Sequence, residues 1–329
     1  MDNLVLRPYC VKDDMEDVYA LGEVAYVEDY ARIGRSPTAG LRREKRVVAV
    51  LSVLERVFPA LRDLTSGYVW TDGGRVVSFV HFARGGLGGD RWSIETVMTH
   101  PEYQRRGLAR RLVEQSLEAI RARGGRTCVL KVRADNHPAY ALYRSLGFSH
   151  VDSTVHLKLG PALRPEVTAP GAYSVRAVSA SEWFARWRDR FELAQREHGE
   201  ELEILLPVSQ RAFRRPMYVR WIGPILMKLS GLRRRQWIGE HDGRMIATLS
   251  AVRDQTDTRD DELTLCVDPE AEADVSAPLL ATGLAWLDRS GNQPVLMELS
   301  STRSHAIQAA QTQGFREIMT WHRLALRLG

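Results

Sequence analysis

The fold is decided by the stretch HPEYQRRGLARRLVEQSLEAI at residues 100–120. His100-Pro101 ends a predicted strand, and apolar residues then recur at helical spacing, which predicts a helix over about 107–123. A strand-to-helix turn of this kind directs unpaired backbone N–H groups and the positive end of the helix at one point. Glycine at 107 lets an anion approach the main chain closely. The turn therefore predicts a binding site for a pyrophosphate.

The expected phosphate-binding residues form one continuous run in this turn. They are Gln104, Arg105, Arg106, Gly107, Leu108, Ala109 and Arg110. The small side chain of Ala109 avoids crowding the anion, and the arginines add positive charge. A basic helix start that is merely solvated is the alternative interpretation of this stretch taken alone.

Length and composition describe an ordinary globular protein. The chain has 329 residues, enough for two hydrophobic cores of about 150 residues each, and 44% of the residues are hydrophobic. No run approaches the roughly 18–20 apolar residues that a membrane span requires, and no secretory signal precedes the first predicted strand. We therefore expect a cytoplasmic protein without a membrane span.

Charge and cysteine content bear on the partners. The formal net charge is +5, but basic and acidic residues are interspersed, so we expect a solvated mixed surface and no nucleic-acid partner. Cys10, Cys128 and Cys266 lie far apart, without the CxxC spacing of many metal sites. They predict reduced thiols and no bound metal.

The same plan occurs twice along the chain. Landmarks recur at offsets of 167–169 residues; the pairs are Leu6 and Val175, Gly74 and Gly243, Pro101 and Pro269, and Gly147 and Gly314. This predicts an internal duplication. The domains would be residues 1–159 and 173–329, joined by a proline-rich linker at 160–172. Two unrelated α/β domains are the alternative.

Within the first half, apolar periodicity predicts a mixed sheet with helices on both faces. The predicted strands lie near 3–8, 67–71, 75–84, 91–98 and 127–133, followed by a final hairpin that contains Val155, Leu157 and Leu159. The predicted helices lie near 12–30, 41–64 and 107–123, and from Pro138 to Gly147. In the second half, the segment 211–235 predicts a helix that lines the acceptor site or the interface between the halves, with membrane-surface binding as the alternative.

Three motifs of the first half together resemble the GNAT N-acetyltransferase superfamily. They are VMTHPEY at 97–103, QRRGLA at 104–109 and NHPAYALYRSLGF at 136–148. The acetyl-CoA loop of this family reads Gln/Arg-x-x-Gly-x-Gly/Ala, and the resemblance covers about residues 3–159. It implies an α/β (α+β) fold of two tandem GNAT-like domains, each a mixed, mostly antiparallel central sheet flanked by helices. It also implies acetyl-CoA as a co-substrate and no metal.

The resemblance implies where the cofactor lies. The sheet would splay open between the strand that ends near Thr99 and the strand that ends near Arg133, and the pantetheine arm would bind in that gap like an added strand. The main chain of Val97 and Thr99 would hydrogen-bond the arm, and Asn136 would bond it from the other side.

The resemblance also implies which groups assist acyl transfer. Tyr143 is expected to donate a proton to the departing thiolate, with simple packing on the sheet as the alternative role. The backbone N–H of Val97 or Met98 would stabilise the developing oxyanion.

A base is needed because an alkyl amine arrives protonated. Glu95 is the expected base, since the two-residue period of a strand places it on the same face as Ser93 and Val97. Glu28 and Asp29, near the end of the first predicted helix, are the alternatives.

The second half lacks the groups that would hold the cofactor. The counterparts of the phosphate turn are Glu272, Asp274, Val275 and Ala277. Two carboxylates would repel a pyrophosphate, and valine would block its close approach. The counterparts of Asn136 and Tyr143 are Arg303 and Ala310. We therefore expect a degenerate second domain that stabilises the first or shapes its acceptor pocket.

The leading hypothesis is an N-acetyltransferase whose N-terminal domain transfers acetyl from acetyl-CoA to a small-molecule or protein amine by direct attack in a ternary complex. The tandem layout also resembles mycothiol-synthase-like proteins, although the loss of the second loop argues against a close match. An acetyl-CoA-binding sensor or scaffold without turnover is the non-enzyme alternative. The sequence leaves the acceptor open, and also the oligomeric state, a homodimer included.

Overall fold

The computed structural model describes residues 3–27, 66–85, 90–161, 173–199, 208–214, 227, 231–256, 259–288 and 293–329. These residues form two compact units. The first comprises Met1–His150 together with Arg323–Gly329, and the second comprises Val151–His322. The domain boundaries expected from the sequence, at 159 and 173, stay a prediction, and most of the expected linker lies outside the described residues.

The first unit is a mixed α/β domain. Its elements are β1 (Leu4–Pro8), α1 (Val11–Ala25), β2 (Ser66–Asp72), β3 (Arg75–Arg84), β4 (Arg91–Thr99), α2 (Leu108–Ala122), β5 (Thr127–Arg133) and α3 (His137–Ser145). The strands follow one another in chain order, antiparallel from β1 to β4 and parallel between β4 and β5. The mixed, mostly antiparallel sheet expected from the sequence is confirmed.

Helices cover both faces of this sheet because each helix has one apolar side. On one face, α2 and α3 pack on the strands around a core that includes Phe82, Trp92, Leu112, Leu117, Leu130 and Phe148. On the other face, Leu21 of α1 packs against Val69, Val76, Phe79 and Met98. The helix predicted near 12–30 is thus present as α1, whereas the one predicted near 41–64 lies outside the described residues.

The second unit repeats this order of elements. They are β6 (Ser149–Leu159), β7 (Ser174–Val178), α4 (Ala180–Ala185), α5 (Trp187–His198), α6 (Gln210–Phe213), β8 (Leu232–His241), β9 (Arg244–Asp254), β10 (Asp261–Val267), α7 (Glu272–Asp288), β11 (Val295–Ser300), α8 (Ser304–Thr312) and β12 (Arg316–Arg327). Strand β10 is antiparallel to β9 and parallel to β11, as β4 is to β3 and β5. Most of the segment 211–235 lies outside the described residues.

Backbone turns correspond between the units as well. Gly147 follows α3 with φ +91°, and Gly314 follows α8 with φ +92°. Both sit in the left-handed region, where glycine carries no Cβ penalty, and both end a helix in the same way. Among the described helices of either unit, none is long and apolar enough to cross a membrane.

The final hairpin predicted for the first half is wrong. One strand, β6, runs through all of its positions and pairs antiparallel with β11, from Leu159 opposite Val295 to Thr154 opposite Ser300. The strand continues without a turn because pairing with a distant strand holds it extended, and the Ser300 hydroxyl of that strand also donates to Asp152 at 3.1 Å.

The last residues of the chain complete the core of the first unit. Leu324 and Leu328, near the end of β12, are 0% and 5% exposed and pack in the same cluster as Phe82 and Trp92. The Leu328 N–H also donates to the Arg126 carbonyl at 2.8 Å. The first unit therefore depends on residues that follow the whole second unit in sequence.

Replacing Leu324 with alanine should destabilise the first unit by about 2–5 kcal/mol, the usual cost of emptying a buried leucine site. Urea unfolding followed by circular dichroism measures the change. The control is Arg327→Ala, an exposed position three residues further on, for which a change within about 0.5 kcal/mol is expected. Equal stability of the two variants would contradict this assignment.

Candidate functional site

A left-handed turn connects β4 to α2. A short 3-10 helix, Pro101–Tyr103, follows β4, and Gly107 then occupies the N-cap of α2 with φ +79°. Arg105 also has a positive φ, +61°. A Cβ placed on Gly107 would meet no described atom within 4 Å, so the main chain here is open to the outside. This is the position from which the sequence predicts a close approach by an anion.

The first turn of α2 leaves its N–H groups unpaired. The Arg111 N–H donates to the Gly107 carbonyl at 3.1 Å, which is the first bond of the helix. The N–H groups before it, on Leu108, Ala109 and Arg110, have no carbonyl within the helix to bond. No described side chain caps them. The positive end of a 15-residue helix therefore faces outward beside an exposed glycine.

The arginines of the turn differ in what they contact. The Arg106 guanidinium lies over the Tyr103 ring at 5.0 Å, and Tyr103 donates its hydroxyl proton to Asp72 at 2.7 Å. Arg110 donates to the Ser145 hydroxyl at 2.6 Å and so is directed at α3. Arg105 and Gln104 are exposed. Arg110, one of the arginines expected at the phosphates, thus bonds another helix.

A gap opens between β4 and β5 beyond their first four residues. Within the described parts of both strands, paired positions end at Ile94 and Leu130. The His100 N–H bonds the Val77 carbonyl of β3 at 2.9 Å. Because backbone groups alternate in direction along an antiparallel strand, the N–H and C=O of Val97 and Thr99 point away from β3 into the gap. We call this opening the first gap.

Met98 is directed differently from its neighbours. It lies opposite Phe79 of β3, so by the same alternation its N–H points toward β3. The Ser78 hydroxyl also bonds its carbonyl, at 2.7 Å. Of the two backbone donors that the sequence offers for an oxyanion, the structure brings Val97 to the gap and directs Met98 to the sheet.

A β-bulge interrupts the regular alternation of β4 at Glu95. On β3, His81 lies opposite Thr96 but Phe82 lies opposite Ile94, so Glu95 is the extra residue of β4. Its side chain is exposed and accepts a hydrogen bond from the Ser93 hydroxyl. The expected shared face with Ser93 is therefore present.

The expected shared face of Glu95 and Val97 is wrong. Val97 packs in the same cluster as Trp92 and Ile94, on the opposite side of β4 from Ser93. The bulge shifts the two-residue alternation by one position, which is the physical reason for the error.

Tyr143 and Asn136 lie on α3. Tyr143 is buried, and its ring meets the edge of Phe148 with 6.0 Å between ring centres. Burial raises the pKa of Tyr143 to about 12. Asn136 is exposed at the N-cap, where its side-chain oxygen accepts from the Ala139 N–H at 3.1 Å. That bond uses the amide oxygen and leaves the amide NH₂ group as a donor.

Sequence reasoning missed Tyr26. It follows α1, and its hydroxyl donates to the Val97 carbonyl at 3.1 Å, so it lies at the first gap. A tyrosine 71 positions before its partner gives no local signal. Glu28 and Asp29, the alternative bases, lie just beyond it and outside the described residues.

In the second unit, a buried carboxylate and a buried valine are the counterparts of residues in the turn at Gly107. A 3-10 helix, Pro269–Ala271, leads directly into α7, which begins at Glu272. Glu272 is buried, accepts from the Ala306 N–H at 2.9 Å, and lies 3.6 Å from the Arg303 guanidinium. Val275 is fully buried, in place of an exposed glycine. The start of α7 therefore carries a carboxylate bonded within the protein, and a buried valine where the first unit has an exposed glycine.

The opening beside β10 is filled as well. Paired positions of β10 and β11 end at Leu263 and Met297 in the described strands, and the Asp268 N–H bonds the Ile246 carbonyl at 2.8 Å. By the alternation used above, the Val267 N–H points into this opening. The Glu197 carboxylate of α5 accepts that N–H at 3.2 Å.

Burial shifts the pKa values of two groups at this opening, Glu197 and Cys266. It raises the pKa of Glu197 above the ordinary value of 4.5, although bonds from Cys266 and Val267 oppose the shift. Burial also raises the pKa of the Cys266 thiol well above its ordinary value, so the thiol stays protonated at neutral pH. Among the described residues, no group of three His, Cys, Asp or Glu is arranged to hold a metal ion.

Comparison with known proteins finds similarity to acetyltransferases within the first unit. Residues 38–148 match the model of the acetyltransferase (GNAT) family. Over 60 residues the chain is 43% identical to the [ribosomal protein bS18]-alanine N-acetyltransferase of Escherichia coli K12, which covers 18% of this chain and 40% of that protein. Over 96 residues it is 32% identical to a mycothiol acetyltransferase of Nocardioides sp., covering 26% and 32%. The chain thus spans less than half the length of these curated relatives.

Both units together are similar to a solved tandem protein. The match, to a tandem GNAT protein from the clavulanic acid biosynthesis pathway, covers 99% of each chain with a TM-score of 0.62 and 17% identity. At this identity the likeness shows the fold alone. It confirms the expected fold class of two tandem GNAT-like domains.

The raised pKa of Glu197 makes a prediction about stability. A carboxyl group that is protonated more readily in the folded state contributes its stability fully below the unfolded pKa near 4.5 and loses it as pH rises through the folded pKa. Glu197→Gln cannot ionise and still offers an acceptor to Val267. Its unfolding free energy should therefore rise relative to the wild type between pH 4.5 and pH 8.

Urea unfolding at both pH values measures this difference. The matched control is Glu192→Gln, an exposed carboxylate on the same helix, for which a change within about 0.5 kcal/mol is expected at either pH. A Glu197→Gln protein that loses stability relative to the wild type as pH rises would show that the carboxylate is stabilised in its ionised form.

Proposed function

Because the chain carries an acetyltransferase domain of the GNAT family at residues 38–148, we propose that it transfers an acetyl group from acetyl-CoA to an amine through its first unit alone. One observation carries this proposal: the open turn at Gly107 stands beside the first gap, whereas in the second unit a buried valine replaces this glycine and the Glu197 carboxylate accepts the N–H that points into the corresponding opening. A pyrophosphate and a pantetheine arm need these two features together.

The first unit fits the substrate acetyl-CoA in charge and in hydrogen bonding. The N–H groups of Leu108, Ala109 and Arg110 point outward at the positive end of α2 and match phosphate oxygens. The exposed Arg105 and Gln104 add donors. The main chain of Val97 and Thr99 lies at the edge of an open strand and would bond the amides of the pantetheine arm; the Val97 carbonyl would share its lone pairs between the arm and the Tyr26 hydroxyl.

Three groups of this unit would assist the reaction of the acetyl thioester with an amine. The Val97 N–H, directed into the first gap, would stabilise charge on the carbonyl oxygen as the amine nitrogen bonds to the carbonyl carbon. Tyr143 would give its phenol proton to the sulfur as the carbon–sulfur bond breaks. Glu95, exposed on the bulge, would take the proton that the amine loses.

Burial suits Tyr143 to the role of an acid. A pKa of about 12 keeps the phenol protonated throughout the neutral range. Ser93, which bonds Glu95, similarly supports the base by holding its carboxylate at the bulge.

The acceptor is an amine, either a small molecule or a protein. Support for a protein amine comes from the relative named for alanine acetylation of a ribosomal protein. Support for a mycothiol-type acceptor comes from the relative named mycothiol acetyltransferase. A panel of amines, with free thiol release as the readout, separates these acceptors. Binding of coenzyme A with no thiol release from acetyl-CoA for any amine would favour the sensor or scaffold.

The state of the three cysteine thiols bears on the cellular compartment of the protein. Cys10, Cys128 and Cys266 are all unpaired, and burial raises the pKa of Cys128 to about 12. Such thiols suit a reducing compartment, so we propose a cytoplasmic location. A homodimer stays a prediction; gel filtration tests it.

Substitution of Gly107 by glutamate should weaken coenzyme A binding at least about 100-fold, since it adds a carboxylate to the open main chain beside the helix end. Isothermal titration calorimetry measures the change. The matched control is Gly124→Glu at the other end of the same helix: Gly124 also has positive φ, +75°, and open space around its Cβ position. Gly124→Glu introduces the same backbone strain as Gly107→Glu, and this control should bind coenzyme A with normal affinity. Equal binding by the two variants would contradict the phosphate site.

Tyr143→Phe should lower kcat by about 10²–10⁴-fold, the usual contribution of a general acid, with little change in coenzyme A affinity. The matched control is Tyr140→Phe on the same helix, for which normal turnover is expected. Because burial raises the pKa of Tyr143 to about 12, the wild-type kcat should not fall through phenol ionisation near pH 10. Full turnover by Tyr143→Phe across the pH range would end the acid assignment.

A further inference from the structure

Arg110 connects the phosphate turn to the helix that carries Tyr143. Its guanidinium donates to the Ser145 hydroxyl at 2.6 Å, and that hydroxyl donates onward to the Leu142 carbonyl at 2.6 Å. We propose that Arg110 is a positioning residue for Tyr143, acting through Ser145, and that its side chain is not a phosphate ligand. This inference rests on the proposed function of the first unit.

The bonded residues enclose Tyr143 within the last turn of α3. Leu142 precedes Tyr143, and Ser145 is the final residue of the helix. The Tyr143 carbonyl accepts from the Phe148 N–H at 3.1 Å, which closes the turn from the other side. Because α3 has only nine residues, its last turn has little helix to hold it, and the bond from Arg110 fixes that turn relative to α2.

The backbone and side chain of Arg110 face different tasks. Its N–H is among the unpaired donors of the first turn of α2, where the phosphates would bind. Its side chain extends to Ser145 and lies 3.9 Å from the Glu114 carboxylate, which offsets part of its charge. One residue therefore joins the place that holds the nucleotide to the helix that presents the acid.

Arg111 provides a matched comparison. It is the next residue of α2, its guanidinium also lies 3.9 Å from Glu114, and its side chain is more exposed, 74% against 43% for Arg110. Removing either side chain takes one positive charge from the same turn of the same helix. Only Arg110 bonds α3 among the contacts described for these two residues.

The test measures kcat and KM for acetyl-CoA in Arg110→Ala, Ser145→Ala, the double variant and Arg111→Ala. Loss of one hydrogen bond of this kind should lower kcat about 5- to 20-fold in both single variants, with KM within about twofold of wild type. The double variant should be no slower than the slower single variant, because both changes remove the same link. Arg110→Lys, which retains a donor, should recover part of the rate, and Arg111→Ala should match the wild type.

Two results would overturn the inference. A KM for acetyl-CoA raised tenfold or more in Arg110→Ala but not in Ser145→Ala would make the guanidinium a phosphate ligand. An unchanged kcat in Arg110→Ala or Ser145→Ala would remove the positioning role. Both results require a wild type that releases thiol from acetyl-CoA with an amine, so a failure of the proposed function is recognised separately, by an inactive wild type.

Discussion

The unpaired N–H groups at the start of α2 are the constraint on which the proposed binding role of the first unit depends. A helix start must bond its first donors to something, and here neither the chain beside it nor a capping side chain does so among the described residues. The left-handed Gly107 keeps the main chain open at that point. An anion fits such a site, and the first gap beside it fits the proposed ligand, which continues as an extended, amide-bearing arm.

The second unit differs from the first at both of the corresponding places. Its sheet opens at the corresponding place, yet the Glu197 carboxylate accepts the N–H of Val267, and Glu272 caps α8 through the N–H of Ala306. A protein carboxylate thus bonds an N–H in the opening of the second unit, and the buried Val275 stands where the first unit has the exposed Gly107. The fold is retained because strand pairing and core packing do not depend on these groups, whereas an anion-binding role does.

Much of the fold could be predicted because its signals are local. Glycines in left-handed turns, the apolar period of α2 and the strands at 75–84 and 127–133 can each be recognised from a few neighbouring residues. The membership of Arg323–Gly329 in the first unit could not, since it pairs distant parts of the chain. The single strand that contains Val155 was missed for the same reason, because its partner β11 lies far away in sequence.

The candidate site divides along the same line. The turn at Gly107 and the helix of Tyr143 follow from motifs, but the bulge at Glu95 inserts one residue that no period reveals. The bond of Arg110 to Ser145 joins two helices through residues that are 35 positions apart in sequence. The basic character of Arg110 alone suggested that its side chain binds phosphate.

The most direct test of this account is hydrogen exchange of the whole chain with and without coenzyme A. The account predicts slower exchange on binding for the backbone amides of residues 104–111, with no change for those of residues 269–277. Protection of 269–277, or none at 104–111, would contradict the claim that the open helix start of the first unit holds the nucleotide.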